Sequence, residues 1–332
     1  MKIKLIAFVL LTLIVFSCKK DSSDFINDPD AAVLTLNVPK GFPYPNIPSD
    51  NLPTNYRIRL GKELFNDPIL SGDSSISCAT CHKENLAFTD GLPKSQGIYG
   101  RQAYRNAPSI QNAAYQPYLF WDGGNPTLEQ QVLGPINNPN EMDCDANLIV
   151  ERLNRIPDYV MKFKLAYGQG PSVYTLTRAI ANYERTVFTG KSKYDRYLYD
   201  GDSTALDSSE KHGMELFFNE EGDCFHCHVD YNFTDYSFQN NGLYLVYPDS
   251  GRARITLRQS DVGKFKVPSL RNVELTAPYM HDGSIATLEE VVDHYNSGGQ
   301  AHPNKANVIR PRNLTAQDKA DLVNFLKALT GQ

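Results

Sequence analysis

The stretch Cys-Ala-Thr-Cys-His at residues 78–82 decides the fold of this chain. Cys-x-x-Cys-His is the attachment signature of a c-type haem, in which both thiols bond covalently to the porphyrin vinyl groups and the histidine binds the iron. A second copy, Cys-Phe-His-Cys-His, occupies residues 224–228. Two copies in a chain with only 6 cysteines and 7 histidines predict two covalent haems, with redox-active dithiols as the alternative. The predicted attachment and proximal iron-binding residues are Cys78, Cys81, His82, Cys224, Cys227 and His228.

Chain length and net charge limit the number of domains and the classes of partner. The chain has 332 residues, enough for two domains of ordinary size, and its formal net charge is only −5. Neither end is strongly basic, so nucleic-acid binding is not expected. Besides the haem motifs and Cys18 in an N-terminal signal, only Cys144 remains. The sequence therefore predicts no disulfide framework, and Cys144 is interpreted as a free thiol without a role.

The N-terminus has the pattern of an export signal. Two lysines precede an apolar run over residues 5–16, which is too short to favour a membrane span. Val-Phe-Ser-Cys at residues 15–18 resembles a bacterial lipobox, which predicts a lipoprotein signal over residues 1–18 and acylation of Cys18; secretion with cleavage nearby is the alternative. Residues 19–53, rich in Ser, Asp, Asn and Pro, are expected to form a flexible tether. We therefore expect a periplasmic protein of the cell envelope, attached to a membrane through lipid on Cys18.

A helical stretch that ends in Leu-Phe precedes each haem motif. Gly-Lys-Glu-Leu-Phe at residues 61–65 lies before the first motif, and Gly-Met-Glu-Leu-Phe at residues 213–217 lies before the second. This internal repeat predicts two cytochrome c-like domains, assigned to residues 54–200 and 201–332. The polar stretch 201–209 is expected to link them.

The other local signals are helical. A helical run is expected over residues 173–187, and Thr127 is expected to cap a short helix that Pro135 ends. Thr287 and Thr315 open capping boxes of two further helices. The apolar face of the helix after Thr287 consists of Leu288, Val291, Val292 and Tyr295. Strand alternation is not convincing anywhere, so we expect a mainly α fold with long loops around two haems.

Six motifs together resemble those of a known family. They are Ser-Cys-Ala-Thr-Cys-His at 77–82, Arg-Asn-Ala-Pro at 105–108, Phe-Trp-Asp-Gly at 120–123, Glu-Met at 141–142, Val-Pro-Ser-Leu-Arg-Asn at 267–272 and Pro-Tyr-Met-His-Asp-Gly at 278–283. With them the chain resembles the bacterial dihaem cytochrome c peroxidase family, which includes the MauG group, over almost everything from residue 56 to residue 329. The resemblance implies an N-terminal peroxidatic haem that meets peroxide and a C-terminal haem that takes electrons from a donor protein.

The resemblance also implies roles for particular residues. Gln131, Pro135 and Glu141 match the family's distal residues on the peroxide side of the first haem. A carboxylate there can move the proton that O–O cleavage requires, and an amide can orient peroxide by hydrogen bonding. Trp121 matches the family tryptophan between the two haems. The residues that match the family's calcium site at the domain junction are Asn106 and, through their backbone carbonyls, Thr276 and Pro278; such oxygen ligands suit Ca²⁺.

Two positions depart from many peroxidases of the family. Those enzymes carry a histidine before Arg-Asn-x-Pro that blocks the first haem until the second is reduced, whereas Ile98 stands at that place and cannot bind iron. They also use methionine as the second axial ligand of the C-terminal haem, whereas the matching residue is Tyr295, as in MauG. A phenolate favours Fe(III) and should lower the potential of that haem. Met280 and His294 remain the alternative ligands.

Three functions follow from the resemblance and from these departures. The first is reduction of hydrogen peroxide to water with electrons from a small periplasmic donor such as a cytochrome c. The second is a MauG-like oxidation of residues in a partner protein, which Ile98 and Tyr295 favour. The third is a non-enzymatic dihaem electron carrier, which Gln131 and Glu141 disfavour because a carrier has no use for a distal acid–base pair.

Overall fold

The structure, a computed structural model, describes residues 28–331 and is mainly helical, as expected. The α-helices in chain order are α1 (Asn55–Asn66), α2 (Cys78–Cys81), α3 (Leu128–Gln131), α4 (Leu133–Asn137), α5 (Ala146–Asn154), α6 (Pro157–Tyr167), α7 (Val173–Glu184), α8 (Lys193–Tyr199), α9 (Ser208–Phe217), α10 (Ala253–Thr256), α11 (Leu288–Ser297) and α12 (Ala316–Lys327). Short 3₁₀ helices cover Pro68–Leu70, Glu84–Leu86, Ile98–Gly100, Ala113–Tyr115, Gln259–Asp261 and Val273–Leu275. Strands β1 (Phe238–Gln239) and β2 (Phe265–Lys266) form an antiparallel pair. Within residues 28–331, each helix is too short or too polar to cross a bilayer.

The same helix crossing occurs in both halves of the chain. Helix α1 packs against α7, and α9 packs against α12. The glycine that begins each Gly-x-x-Leu-Phe repeat lies at the crossing: a Cβ on Gly61 would stand 1.9 Å from the carbonyl oxygen of Ala179, and one on Gly213 would stand 2.0 Å from that of Asp321. The absence of a side chain therefore permits the close approach of the two helix backbones.

Each helix pair lies in its own hydrophobic cluster. The first cluster includes Leu60, Leu64, Phe65, Ile149, Phe163, Leu176 and Ile180. The second includes Leu216, Phe217, Phe233, Leu288, Val292, Leu322, Phe325 and Leu329. On the apolar face expected for the helix after Thr287, Leu288 and Val292 are buried, and Val291 and Tyr295 are half-buried. On the helix after Thr315, Leu322 and Leu326 are buried. The Leu-Phe ending of each repeat thus supplies buried side chains beside each Cys-x-x-Cys-His motif.

Capping explains where these helices begin. The Thr287 and Thr315 side chains accept hydrogen bonds from the backbone N–H groups of Glu290 and Asp318, and both expected capping boxes are present. Thr127 likewise caps α3. The expectation that Pro135 ends this helix is wrong, because α4 continues to Asn137 with Pro135 as its third residue. A proline costs little there, because the first-turn N–H groups of a helix have no intrahelical acceptor.

Residues 28–53 correct another expectation. They do not form a flexible tether, because Leu36 and Phe42 are buried and the Phe42 ring packs 4.9 Å from the ring of Tyr231. The Asn51 side chain is fully buried as well and donates to the Arg178 carbonyl. The segment therefore lies against both halves of the protein. Residues 19–27 of the expected tether, and the signal with Cys18, lie outside the described residues.

An ionic network ties the halves together. Arg105 donates to both carboxylate oxygens of Asp249, at 2.6 and 2.9 Å, and to Asp122 at 2.7 Å. Asp122 is fully buried and also accepts from Arg254 at 2.7 Å. Such bidentate, partly buried pairs fix orientation as well as distance. The loop with Arg105 is thereby held rigidly against the second half of the chain.

Candidate active site

The two Cys-x-x-Cys-His motifs adopt matching local geometry. The backbone N–H of His82 donates to the carbonyl of Cys78, and that of His228 donates to the carbonyl of Cys224, both at 2.9 Å. The imidazole Nδ1 of His82 lies 2.9 Å from the Phe88 carbonyl oxygen. Because a carbonyl oxygen only accepts, Nδ1 carries the proton and Nε2 is left with a free lone pair. This is the tautomer that binds iron through Nε2.

The second motif repeats that arrangement. The His228 Nδ1 lies 2.9 Å from the Phe233 carbonyl oxygen, so Nε2 is again the free nitrogen. Burial lowers the pKa of both His82 and His228, which favours the neutral, metal-binding form. Both imidazoles are therefore oriented and in the protonation state that a proximal ligand requires.

The four motif thiols are not poised as redox dithiols. Burial raises the pKa of Cys81 to about 11, that of Cys224 to about 12 and that of Cys227 to about 11, and raises that of Cys78 further. A reactive dithiol needs a thiolate stabilised near neutral pH, which this burial opposes. The paired thiols and the free His Nε2 fit a c-type haem better than the dithiol alternative.

A cavity with a mainly apolar lining opens beside the second motif. Cys224, Cys227 and His228 line it together with apolar side chains. Those apolar side chains are Phe217, Val273, Leu288, Val291, Val292, Leu322 and Leu326. Tyr295 and Met280 line the same cavity, so both are in place as candidate second ligands of a haem iron.

Asn241 distinguishes the three candidate ligands. Its Nδ2 donates to the Met280 sulfur at 3.3 Å and to the Tyr295 hydroxyl oxygen at 3.5 Å, which brings these two side chains together. The His294 Nε2 instead lies 3.0 Å from the Asn241 carbonyl oxygen, and His294 does not line the cavity. Burial raises the pKa of Tyr295 to about 12. The structure thus turns His294 away and leaves Tyr295 and Met280 facing the site.

Near the first motif, a folded-back segment brings Glu141 beside Pro135. The Met142 N–H donates to the Pro135 carbonyl at 3.1 Å, and the Ile98 N–H donates to the Glu141 carbonyl at 2.9 Å. Ile98 is buried. Gln131 precedes Pro135 by four residues across the α3–α4 junction, which puts both on one helical face. A main-chain bond therefore links Ile98 directly to Glu141, and Pro135 is bonded to Met142, the residue after Glu141, while Gln131 is linked only through the helix.

The Glu141 carboxyl group has an environment suited to proton transfer. Burial raises its pKa, and the Asn138 side-chain amide, which donates to Oε1 at 2.7 Å, partly opposes this shift. Its charge also acts on the Cys81 thiol, so the carboxyl lies on the side of the first motif. A half-buried carboxyl with a raised pKa and one fixed hydrogen bond is a candidate general acid–base group.

Trp121 and Asn106 lie where the halves meet. The Trp121 Nε1–H donates to the Asn106 carbonyl at 2.9 Å, and the Asn106 N–H donates to the His281 carbonyl at 2.8 Å. Trp121, Asn106, Thr276 and Pro278 all line the cavity of the second motif. The structure thus brings the expected tryptophan and the expected calcium-site residues to one junction.

Comparison with known proteins identifies the family. Residues 55–204 match the family described as di-haem cytochrome c peroxidase. The chain is 38% identical to the cytochrome-c peroxidase IdrP1 of Pseudomonas sp. strain SCT, over 86% of this chain and 83% of that protein. It is 36% identical to the methylamine utilization protein MauG of Methylorubrum extorquens, over 89% of this chain and 83% of that protein. The chain belongs to the di-haem cytochrome c peroxidase family.

Solved structures agree with this assignment. A MauG-like protein associated with microbial copper homeostasis superposes with a TM-score of 0.84 at 39% identity, covering 89% of this chain and 95% of that one. The diheme peroxidase BthA of Burkholderia thailandensis shares the fold, with a TM-score of 0.73 at 24% identity over 91% of this chain and 94% of that one. Membership of a di-haem peroxidase family makes this chain an oxidoreductase and supports two haems.

Two buried charged residues were not predicted from the sequence. Lys266 lines the second cavity, where its ammonium donates to the Gln116 side chain and, at 3.0 Å, to the Tyr118 carbonyl; burial lowers its pKa to about 7. Burial raises the pKa of Glu184 to about 8, and its charge acts on Cys78. No sequence signal marks either residue, because lysine and glutamate are ordinarily at the surface. Lys266 is a candidate partner for a haem propionate.

Proposed function

We propose that the protein reduces hydrogen peroxide to water with electrons from a small periplasmic redox protein such as cytochrome c. The observation that carries this proposal is the Glu141 carboxyl, half-buried with a raised pKa and held beside Pro135 and Ile98 at the first haem motif. A c-type haem attached at Cys78 and Cys81 supplies an iron that binds peroxide and accepts electrons.

Glu141 moves the proton that O–O cleavage requires. The reaction H₂O₂ + 2 e⁻ + 2 H⁺ → 2 H₂O needs one proton moved from the inner to the outer peroxide oxygen, so that the outer oxygen can leave as the first water when the O–O bond breaks. The Glu141 carboxylate takes the first proton and returns it, while the hydrogen bond from Asn138 fixes the orientation of its oxygens. The Gln131 amide orients peroxide, because it donates and accepts hydrogen bonds without titrating.

Ile98 keeps the peroxide side accessible. Its aliphatic side chain is buried and has no atom that binds iron, so no residue at this position blocks the site. In this proposal the oxidised protein reacts with peroxide without prior reduction. Trp121, whose indole N–H is bonded to Asn106 at the junction, carries electrons between the two haem sites.

Tyr295 is the proposed second ligand of the C-terminal haem. It shares the cavity with Met280, but its phenolate is the harder donor and favours Fe(III). Tyr295 and Ile98 together favour the second candidate function, a MauG-like oxidation of residues in a partner protein. The similarity to the MauG of Methylorubrum extorquens supports that candidate. A plain electron carrier is disfavoured, because it has no use for a Glu141 carboxyl with a raised pKa beside the first haem motif.

We also propose a domain organisation and a cellular location for the protein. We propose cytochrome c-like domains at residues 54–200 and 201–332, joined by a Ca²⁺ ion on Asn106, Thr276 and Pro278. The shared junction of these three residues supports the ion, because carbonyl and amide oxygens are ligands that Ca²⁺ prefers. We also propose covalent attachment of both haems, and export to the periplasm with a lipid anchor on Cys18, which the lipobox-like sequence supports.

Steady-state peroxide turnover by the purified holoprotein tests the proposal. Reduced cytochrome c and an artificial donor are supplied in turn, and the wild type is compared with Glu141→Gln and with Glu151→Gln, an exposed glutamate on α5. Glu141→Gln should lower kcat by about 10²-fold or more with the haem spectra unchanged. The Glu151 control should match the wild type. Equal turnover in all three proteins, or no turnover in the wild type, would overturn the proposal.

A further inference from the structure

A chain of aromatic rings runs from the junction toward the surface of the second half. The His281 ring stacks on Phe265 with ring centres 3.7 Å apart and planes at 15°. Tyr247 and Tyr244 have ring centres 6.4 and 6.5 Å from that of His281. They lie 5.6 Å from each other in an edge-to-face arrangement. The peroxide mechanism uses none of these four rings.

The inner end of this chain meets the proposed electron path. The His281 carbonyl accepts from the Asn106 N–H at 2.8 Å, and the Asn106 carbonyl accepts from the Trp121 indole at 2.9 Å. His281 and Phe265 also line the cavity of the second haem motif. Two hydrogen bonds and close ring contacts therefore connect Trp121 with the tyrosines.

The outer end of the chain reaches solvent. Tyr244 is half-buried and is followed by Leu245 and Val246, whose exposed fractions are 59% and 79%. Exposed aliphatic side chains beside an accessible phenol offer an apolar contact to a flat aromatic molecule.

Tyr244 differs from Tyr247 in where its phenolic proton can go. The Tyr244 hydroxyl donates to the Asp282 carboxylate at 2.5 Å. Burial acts to raise the pKa of Asp282, but hydrogen bonds from Tyr244 and Ser284 hold it below the usual range, so this carboxylate is an anionic acceptor. The Tyr247 hydroxyl donates at 3.0 Å to the amide oxygen of Asn240, which is not a base. A tyrosine that loses an electron must also lose its proton, and of these two tyrosines Tyr244 is the one whose hydroxyl contacts a carboxylate.

We propose that Tyr244 is a second oxidation site, at which small phenolic reductants deliver electrons to the peroxide-oxidised enzyme. This inference rests on the peroxide reaction proposed above. Tyr244 gives one electron through the His281 and Trp121 contacts and passes its proton to Asp282, which leaves a neutral tyrosyl radical and a protonated carboxyl. A phenol then returns one electron and releases its own proton to solvent as it becomes a phenoxyl radical, and Asp282 returns the proton to Tyr244. Two such cycles supply the two electrons that one H₂O₂ consumes.

Two measurements on the oxidised holoprotein test this inference. The first is freeze-quench EPR after mixing with H₂O₂, with tyrosine deuterated on the ring to identify a tyrosyl signal. The second is the rate of hydroquinone oxidation, compared with the rate of cytochrome c oxidation in the same preparation. The variants are Tyr244→Phe, Tyr247→Phe and, as a matched control, Tyr174→Phe, which removes a partly exposed tyrosine on α7.

The inference predicts a tyrosyl signal that Tyr244→Phe abolishes and that Tyr174→Phe preserves. Tyr244→Phe should also slow hydroquinone oxidation by about tenfold or more, with cytochrome c oxidation within about twofold of the wild type. A signal that survives in Tyr244→Phe, a signal lost only in Tyr247→Phe, or unchanged hydroquinone oxidation would overturn it. If the protein consumes peroxide without forming a radical at Tyr244, the inference about Tyr244 is wrong and the proposed function stands. If the protein does not consume peroxide, both are wrong.

Discussion

Replacing Gly213 by alanine tests the helix crossing that supports the second haem site. A Cβ at this position would stand 2.0 Å from the Asp321 carbonyl oxygen and 2.9 Å from the Phe325 Cβ. Helices α9 and α12 would have to separate by roughly 1 Å to relieve the contact with the carbonyl oxygen, since such contacts do not occur below 3.0 Å. Backbone atoms of two packed helices form both sides of this contact, so no side chain can rotate out of the way.

The expected loss of folding stability in Gly213→Ala is the sum of two opposing effects. Overpacking of a core costs about 3 kcal/mol at the upper end of its usual range. Alanine is favoured over glycine in a helix by about 1 kcal/mol, which offsets part of this cost. The net destabilisation is therefore about 2 kcal/mol, which lowers the unfolding midpoint of a domain of this size by about 4–8 °C.

Thermal unfolding of the holoprotein, followed by circular dichroism and by haem absorbance, measures this effect. The matched control is Glu215→Ala, an exposed position on the same helix, which should change stability by less than about 0.5 kcal/mol. Gly61→Ala should behave like Gly213→Ala, because its Cβ would stand 1.9 Å from the Ala179 carbonyl oxygen. A Gly213→Ala protein as stable as the Glu215 control would refute the close crossing.

Two further predictions concern titration and ligation. Burial raises the folded-state pKa of Glu184 from 4.5 to about 8, so the folded protein keeps a proton that the unfolded chain loses, and stability falls as pH rises through this window. The unfolding midpoint of Glu184→Gln should therefore depend less on pH between about pH 5 and 8 than that of the wild type, and an identical pH dependence would contradict this. Tyr295→Met should raise the potential of the second haem, measured by redox titration. Tyr295→Phe should change the absorbance spectrum of that haem. If neither variant alters potential or spectrum, the ligand lies elsewhere, with Met280 next in line.

Local patterns predicted the helices well. The Thr287 and Thr315 capping boxes depend on side chains three residues apart, so the sequence contains all the information for where α11 and α12 begin. The helical face of α11 placed Tyr295 beside Leu288 and Val292, and all three line the cavity. The prediction that a helix ends at Pro135 was wrong, because the effect of a proline depends on whether it lies in the first turn of a helix. The sequence did not specify where that helix begins.

Long-range contacts explain what the sequence could not predict. Phe42 packs against Tyr231, a partner 189 positions away by number, so residues 28–53 gave no periodic signal of their own burial. The buried charge of Lys266 is likewise compensated by Gln116 and by a carbonyl from the other half of the chain. Asn241, which brings Met280 and Tyr295 together, lies in a loop without a recognised motif. These contacts exist only after the two halves have packed together.

EPR spectra of the oxidised holoprotein, recorded before and after mixing with peroxide and without any reductant, show whether the first haem is an open peroxide-binding site. We expect a high-spin ferric haem in the isolated protein, because Ile98 cannot bind iron, and loss of that signal when H₂O₂ is added. An Ile98→His variant should convert the first haem to low spin and require prior reduction. An entirely low-spin spectrum of the wild type, or a high-spin signal that peroxide leaves unchanged, would mean that the first haem is not an open peroxide-binding site.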